Sequence, residues 1–229
     1  MIAAMPPRAI LLDALGTLVA LEPPVPAFTA LMRERHGIDL DAAAVGRAFG
    51  VEMRHYRERC VGAADATALA SLRRECATIV AGELELELPA GELEPTLLDS
   101  LRFSPYPEVP GALARWRAAG RRLVVASNWD VSLHDVLAAT GLAQALDGVV
   151  TSAEVGAAKP AAAPFEAALA LAGATAAEAV HVGDGLVEDV EGARAAGIEA
   201  FWLRRAPSDE PAPDGVAVIA SLDELPVAP

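Results

Sequence analysis

The chain has 229 residues, of which 53% are hydrophobic and 22% charged, with a formal net charge of −14. That length supports one large or two small domains with a real core, and the composition is globular rather than disordered. The acidity disfavours nucleic acid and anionic membrane as partners.

No apolar run reaches the length of a membrane-spanning helix. The opening Met1–Arg8 lacks a basic region followed by an apolar one, so a cytoplasmic protein is expected. Cys60 and Cys76 form no CxxC and have no histidine at metal-ligand spacing, which reads as two reduced, partly buried thiols.

In chain order, Ala9-Ile-Leu-Leu-Asp13 comes first. Four apolar residues running into a carboxylate read as a buried parallel strand, with Asp13 at its C-terminal end. Open α/β sheets bind ligands at that end. Gly16 permits a tight turn and a close backbone approach.

Residues 22–104 show no convincing strand. Val25–His36, Asp41–Cys60, Asp65–Gly82 and Gly91–Leu101 are helical by composition and apolar spacing. Asp41 and Asp65 are plausible N-caps, and Pro23-Pro24 and Pro105-Tyr-Pro107 flank the region like hinges.

Beyond it, strands over 122–127, 148–152, 179–184, 199–203 and 216–219 alternate with helices over 110–119, 131–140, 161–171 and 187–196. Gly120 and Gly197 stop two of the helices. This alternation implies right-handed crossovers and a parallel sheet. The boundaries are 1–20 plus 105–229 for an α/β core and 21–104 for a helical insertion. Ala206–Asp214 is Pro-rich.

Four polar groups follow core strands in order: Asp13, Ser127-Asn128, Lys159-Pro160 and Gly183-Asp184-Gly-Leu-Val-Glu188-Asp189. Their chemistry fits phosphoryl transfer. A carboxylate can form an acyl phosphate that water later hydrolyses. Asp13 and a substrate phosphate repel, so a cation must lie between them. Mg²⁺ prefers oxygen and needs few carboxylates. Asp13 and Asp184 offer two, the Leu15 backbone carbonyl a third ligand, and Asp189 or Glu188 an outer one. Ser127 and Lys159 can hydrogen-bond phosphoryl oxygens, and Lys159 offsets charge near Asp13.

Each group has a structural alternative. Asp13 and Asp184 could cap turns or helices, Ser127-Asn128 could be an N-cap, and Lys159 a solvated loop residue. Glu188 and Asp189 could be first-turn acids, and His181 a packed core residue. Lys159 is the only lysine in the chain, which makes its retention more suggestive.

Taken together, the four groups resemble the four motifs of the haloacid dehalogenase-like hydrolase superfamily. The resemblance implies a Rossmann-like parallel-sheet core with an inserted α-helical bundle cap, and Asp13 as nucleophile. It implies Lys159 as its charge partner. Thr17, Ser127, Asn128 and Lys159 would bind phosphate, and Asp13, Leu15 (carbonyl), Asp184 and Asp189 would hold Mg²⁺. In the cap, Arg33, Arg54, His55, Tyr56, Arg57 and Arg59 are candidates for substrate contact, though amphipathic helix surfaces explain them equally well.

The chain departs from the phosphatase pattern at one position. The residue two after the nucleophile is usually a second Asp, acting as general acid; here it is Leu15. The expectation is a Mg²⁺-dependent phosphatase on a small metabolite, lacking that acid. One alternative is a 2-haloacid dehalogenase, which needs no acid because halide leaves unprotonated. That branch resembles Ser-x-Asn in the fourth motif, whereas this chain has Gly183-Asp184. A second alternative is a degenerate member that binds a ligand or partner without turnover. A phosphonatase is disfavoured, because residues 22–104 contain no lysine for a Schiff base.

Overall fold

The computed structural model describes residues 7–207 and 211–226. The sequence readings placed on Met1–Pro6 and on part of the Pro-rich stretch lie outside them. The chain divides into two compact units. One draws on the chain up to Ala20 and from Pro105 onward, the other on Leu21–Ser104.

The elements run β1 (Ala9–Leu12), β2 (Val19–Leu21), α1 (Pro24–His36), α2 (Ala42–Arg59), α3 (Ala66–Glu83), α4 (Ala90–Ser100) and β3 (Phe103–Pro105). They continue α5 (Val109–Ala118), β4 (Arg122–Ser127), α6 (Leu133–Ala139), β5 (Gly148–Thr151), α7 (Ser152–Val155), α8 (Ala162–Ala172), β6 (Ala179–Gly183), α9 (Gly192–Ala195), β7 (Glu199–Leu203) and β8 (Ala217–Ile219).

The first unit is built on a six-stranded sheet in the order β5-β4-β1-β6-β7-β8, with every neighbouring pair parallel. β1 is apolar throughout and its neighbours β4 and β6 are mostly so, because both faces are covered. Leu11, Val124 and Ala126 pack on one face with Phe165 and Ala168 of α8. Ile10, Leu12, Leu123 and Val125 alternate to the other face, and all four are fully buried. The chain winds from β1 through β4 to β5, then crosses to β6 on the far side of β1. β1 therefore lies where the winding direction changes, the place at which such sheets open a crevice for ligands.

The second unit is a bundle of four helices. Asp41 and Asp65 cap α2 and α3 as their side chains suggest: the Asp41 carboxylate accepts from Ala44 N–H, and that of Asp65 from Thr67 and Ala68 N–H. The bundle core gathers Phe28, Met32, Val45, Leu72, Val80, Leu93 and Leu97. Among the described residues no helix is long and apolar enough to cross a membrane.

Two sequence readings need correction. The stretch read as strand-free ends in β3, which pairs with β2 in a separate two-stranded ribbon and not with the central sheet. Three residues are too short a run to show a period. Residues 187–196 do not form one α-helix: Leu186–Glu191 is a π-type turn, followed by the short α9. The Gly185 carbonyl accepts from both Asp189 and Val190 N–H, which widens the turn. Such turns recur at functional sites.

Candidate active site

The C-terminal ends of β4, β1 and β6 lie side by side, so Ser127, Asp13 and Asp184 are neighbours through register alone. Asp13 N–H donates to the Val182 carbonyl at 2.9 Å, extending the ladder one residue past β1. The side chain of Asp13 is nearly buried. One of its oxygens, Oδ1, accepts from Ser127 Oγ at 2.9 Å and from Lys159 Nζ at 2.7 Å. Those two donors fix the carboxylate.

Lys159 is no solvated loop residue: its side chain is 1% exposed and its ammonium also donates to Asp189 Oδ1 at 2.5 Å. Asn128 holds it from behind. Asn128 Nδ2 donates to the Lys159 carbonyl at 2.9 Å, and Lys159 N–H donates to Asn128 Oδ1 at 2.7 Å. The Asn128 side chain therefore positions Lys159. Nor does Ser127-Asn128 cap the following helix, whose N-cap is Ser132; Asp130 closes the turn before it, accepting from Ser132 N–H.

Asp189 sits in the π-type turn, 2% exposed. Its Oδ1 also accepts from His181 Nε2 at 2.9 Å, and its Oδ2 from Gly185 N–H at 2.9 Å. His181 is a core residue, edge-on to the Phe165 ring with centroids 5.2 Å apart. Its other nitrogen, Nδ1, has no partner. Asp13, Asp184 and Asp189 bring oxygens within 4.8 Å of one another, the one such group among the described residues. Glu188 is exposed and outside it.

The charge balance of this cluster is uneven, with three carboxylates around one ammonium. Burial raises Asp13, and the Asp189 charge adds to that, against the pull of Lys159 and Ser127. Burial, together with Asp13 and Asp189, pushes Asp184 up to about 7. Burial alone would also raise Asp189, but Lys159 and His181 more than offset it and hold Asp189 well below the usual carboxylate range. Lys159 is driven up by Asp13 and Asp189 despite its burial. The cluster is short of positive charge, and its donors are all hard oxygens. A divalent cation of the Mg²⁺ type fits that set.

The loop after Asp13 is tightly wound. The Ala14 carbonyl accepts from Thr17, Leu18 and Val19 N–H. Leu15 faces Val19 in a single bridge whose hydrogen bonds come from Ala14 and Gly16, so its own carbonyl takes no part. The Leu15 side chain is 36% exposed. Gly16 has φ +83°, and a Cβ there would lie 2.1 Å from Asp184 Oδ2. Only glycine meets both demands. Thr17 is fully buried and its hydroxyl has no partner. That leaves the Thr17 hydroxyl unsatisfied beside the loop that carries Leu15 and Gly16.

Sequence reasoning passed over Trp202 and Arg205. Trp202 Nε1 donates to the Asp184 carbonyl at 3.0 Å. The Arg205 guanidinium bonds the Gly16 and Thr17 carbonyls. With Asp184, Gly16 and Tyr106 they line a cavity of about 300 Å³. The available signal was position: both lie at or just after the end of β7, on the ligand edge of the sheet.

In the helical unit, His55 and Arg59 reach Glu75 at 3.0 and 3.8 Å, and Arg33 pairs with Asp39. Arg54 and Arg57 are exposed, and Tyr56 is half-buried.

A parallel sheet with a nucleophile-like carboxylate after β1, a buried lysine and paired acids after β6 defines a hydrolase of the haloacid dehalogenase type. A family model for the haloacid dehalogenase-like hydrolase matches residues 7–197, and the chain belongs to that family. Haloacid dehalogenase-like hydrolase domain-containing protein 3 of Bos taurus is 30% identical over 204 residues, covering 86% of this chain and 81% of the relative. Phosphoserine phosphatase of Thermus thermophilus is 39% identical over 117 residues, covering 49% of this chain and 47% of its own. The crystal structure of a 2-haloacid dehalogenase from Pseudomonas syringae pv. Tomato shares the fold. Its TM-score is 0.65 at 24% identity, with 96% of each chain covered.

Proposed function

We propose that this hydrolase is a Mg²⁺-dependent phosphatase acting on a small metabolite through an aspartyl-phosphate intermediate. The observation that carries the reading is the trio Asp13, Asp184 and Asp189 around the single buried ammonium of Lys159. The similarity to phosphoserine phosphatase supports it. The helical unit, Leu21–Ser104, is read as the cap of such a hydrolase.

Asp13, Asp184 and the Leu15 carbonyl would hold the cation. Asp189, with both oxygens already engaged, fits an outer position. Bound Mg²⁺ would screen the phosphate from Asp13 and stabilise charge on the phosphoryl oxygens. Ser127 and Lys159 hold Asp13 Oδ1, which leaves Oδ2 to attack phosphorus. The ester P–O bond breaks and its electron pair leaves with the substrate oxygen. Water then attacks phosphorus, the bond to Asp13 breaks, and inorganic phosphate departs. Ser127 and Lys159 also reach phosphoryl oxygens and stabilise them electrostatically.

Leu15 sets the substrate class. A positioned general acid contributes about 10²–10⁴-fold, and Leu15 supplies none. The departing oxygen carries its own negative charge, which favours acyl phosphates and esters of acidic phenols over sugar or alkyl phosphates.

The same apolar residue is what a 2-haloacid dehalogenase would tolerate, so the test covers both. Aryl, acyl and alkyl phosphates and 2-haloacids are assayed with Mg²⁺ and with a chelator. Phosphate release that needs Mg²⁺ and tracks leaving-group acidity is expected. Metal-independent halide release would replace this reading with the dehalogenase. Absence of turnover on every substrate would favour a binding protein.

A further inference from the structure

We infer that Arg205 is a positioning residue for the cation-binding loop, acting through the backbone of Gly16 and Thr17. The inference rests on the proposed cation site.

One guanidinium makes four contacts. Arg205 Nε donates to the Gly16 carbonyl at 2.9 Å, and Nη2 donates to the Thr17 carbonyl at 2.7 Å. Nη1 donates to Glu108 Oε1 at 2.6 Å, and the guanidinium carbon lies 3.5 Å from the Tyr106 ring centroid. The side chain is 19% exposed. This use of the planar fork is one that lysine does not reproduce.

The contacts join two segments distant in sequence. Gly16 and Thr17 follow directly on Leu15, whose carbonyl is the third proposed cation ligand. Tyr106 and Glu108 lie where the chain re-enters the α/β unit. Arg205 holds the Gly16 carbonyl, and the Asp184 carboxylate lies so close to Gly16 that a Cβ there would stand 2.1 Å from its Oδ2. Displacing Gly16 therefore moves the Leu15 carbonyl, to which it is peptide-bonded, and alters its close packing on the Asp184 carboxylate. Partners that orient ligands from outside cost about 10–100-fold in metal affinity when removed.

The test uses Arg205→Gln and Arg205→Lys in the full chain. The first readout needs no metal: amide hydrogen exchange across residues 14–19. Both variants should exchange faster there, with the β4 and β6 amides unchanged. The second is Mg²⁺ affinity by calorimetry without substrate. Both variants should bind about tenfold more weakly, and Lys should not rescue Gln.

A residue that only stabilises the fold would lower the melting temperature but leave Mg²⁺ affinity unchanged, and Lys would recover part of the loss. Tyr106→Leu removes the ring beneath the guanidinium but none of its hydrogen bonds. It should shift both readouts less, in the same direction, and it serves if the Arg205 variants do not fold. Wild-type exchange across 14–19 in the folded variants overturns the inference. Faster exchange in a protein that binds no Mg²⁺ overturns the cation site and leaves Arg205 as an anchor of the loop alone.

Discussion

Charged side chains are used in opposite ways in the two units. In the α/β unit, Asp13, Lys159 and Asp189 are buried and share one network of short hydrogen bonds. In the helical unit the ion pairs are mostly superficial: Arg33 with Asp39 is 75% and 73% exposed, and Arg35 with Asp99 is 37% and 55% exposed. Its one buried acid is Glu52. Burying two carboxylates around one ammonium, with the exposed carboxylate of Asp184 beside them, is costly unless something repays it. The fold carries that cost at a single place, the crevice where the winding of the sheet reverses. A surface pair shows little; an under-neutralised buried cluster points to a ligand of positive charge.

The sharpest way to break this comparison is to remove one charge from each unit. Asp13→Asn should abolish turnover, because an amide is not a competent nucleophile. Arg33→Ala should change stability by no more than about 0.5 kcal/mol and leave chemistry intact. Steady-state hydrolysis of an aryl phosphate and thermal melts read both. Residual turnover above about 1% in Asp13→Asn would place the nucleophile elsewhere.

Lys159→Met comes next. It leaves buried carboxylates unpaired and should cost about 3–5 kcal/mol in the metal-free protein. Added Mg²⁺ should recover part of that loss. Asn128→Ala, which frees the Lys159 backbone, should cost about 1–3 kcal/mol. Denaturant titrations with and without Mg²⁺ measure all of these, and a null effect of Lys159→Met would remove the basis for the charge argument.

Leu15→Asp sharpens the reading of the leaving group. It should raise alkyl phosphate turnover by up to about 10²-fold, the lower end of what a positioned acid supplies, and change aryl esters less. If the wild type already hydrolyses alkyl and aryl phosphates at similar chemical rates, another proton donor exists.

The smallest effect is on stability against pH. Asp184 stands at about 7 in the folded chain against an ordinary 3.8, and Asp13 is raised as well. Between those values the folded protein holds more protons than the unfolded one, so stability falls as pH rises. With Asp184 partly exposed and screened, the metal-free protein should lose about 1 kcal/mol between about pH 5 and pH 7.5. That corresponds to roughly 2–4 °C in Tm. Asp184→Asn should flatten most of the slope, and an increase in stability over the same window would contradict the placement of Asp184.

How much of this was legible beforehand depends on range. The strand ends and their polar residues were legible, because a buried parallel strand is an unbroken apolar run and the residue after it is placed by register. Asp13, Ser127 and Asp184 are placed that way, whereas Lys159 follows α7 and Asp189 lies in the π-type turn. The caps Asp41 and Asp65 were legible for the same local reason. What each side chain grips was not. Nothing local shows that the Asn128 amide grips the backbone of Lys159, 31 residues away. Arg205 carries no local pattern, since its carbonyl partners lie 188 and 189 residues back. The π-type turn escaped because acids at 188 and 189 look the same in an α-helix.

The measurement that tests the central claim most directly is Mg²⁺ binding by calorimetry to the wild type and to Asp184→Ala, without substrate. The account predicts one Mg²⁺ bound by the wild type and at least about tenfold weaker binding by the variant. Equal affinity in the two proteins, or no binding by a folded wild type, would contradict it.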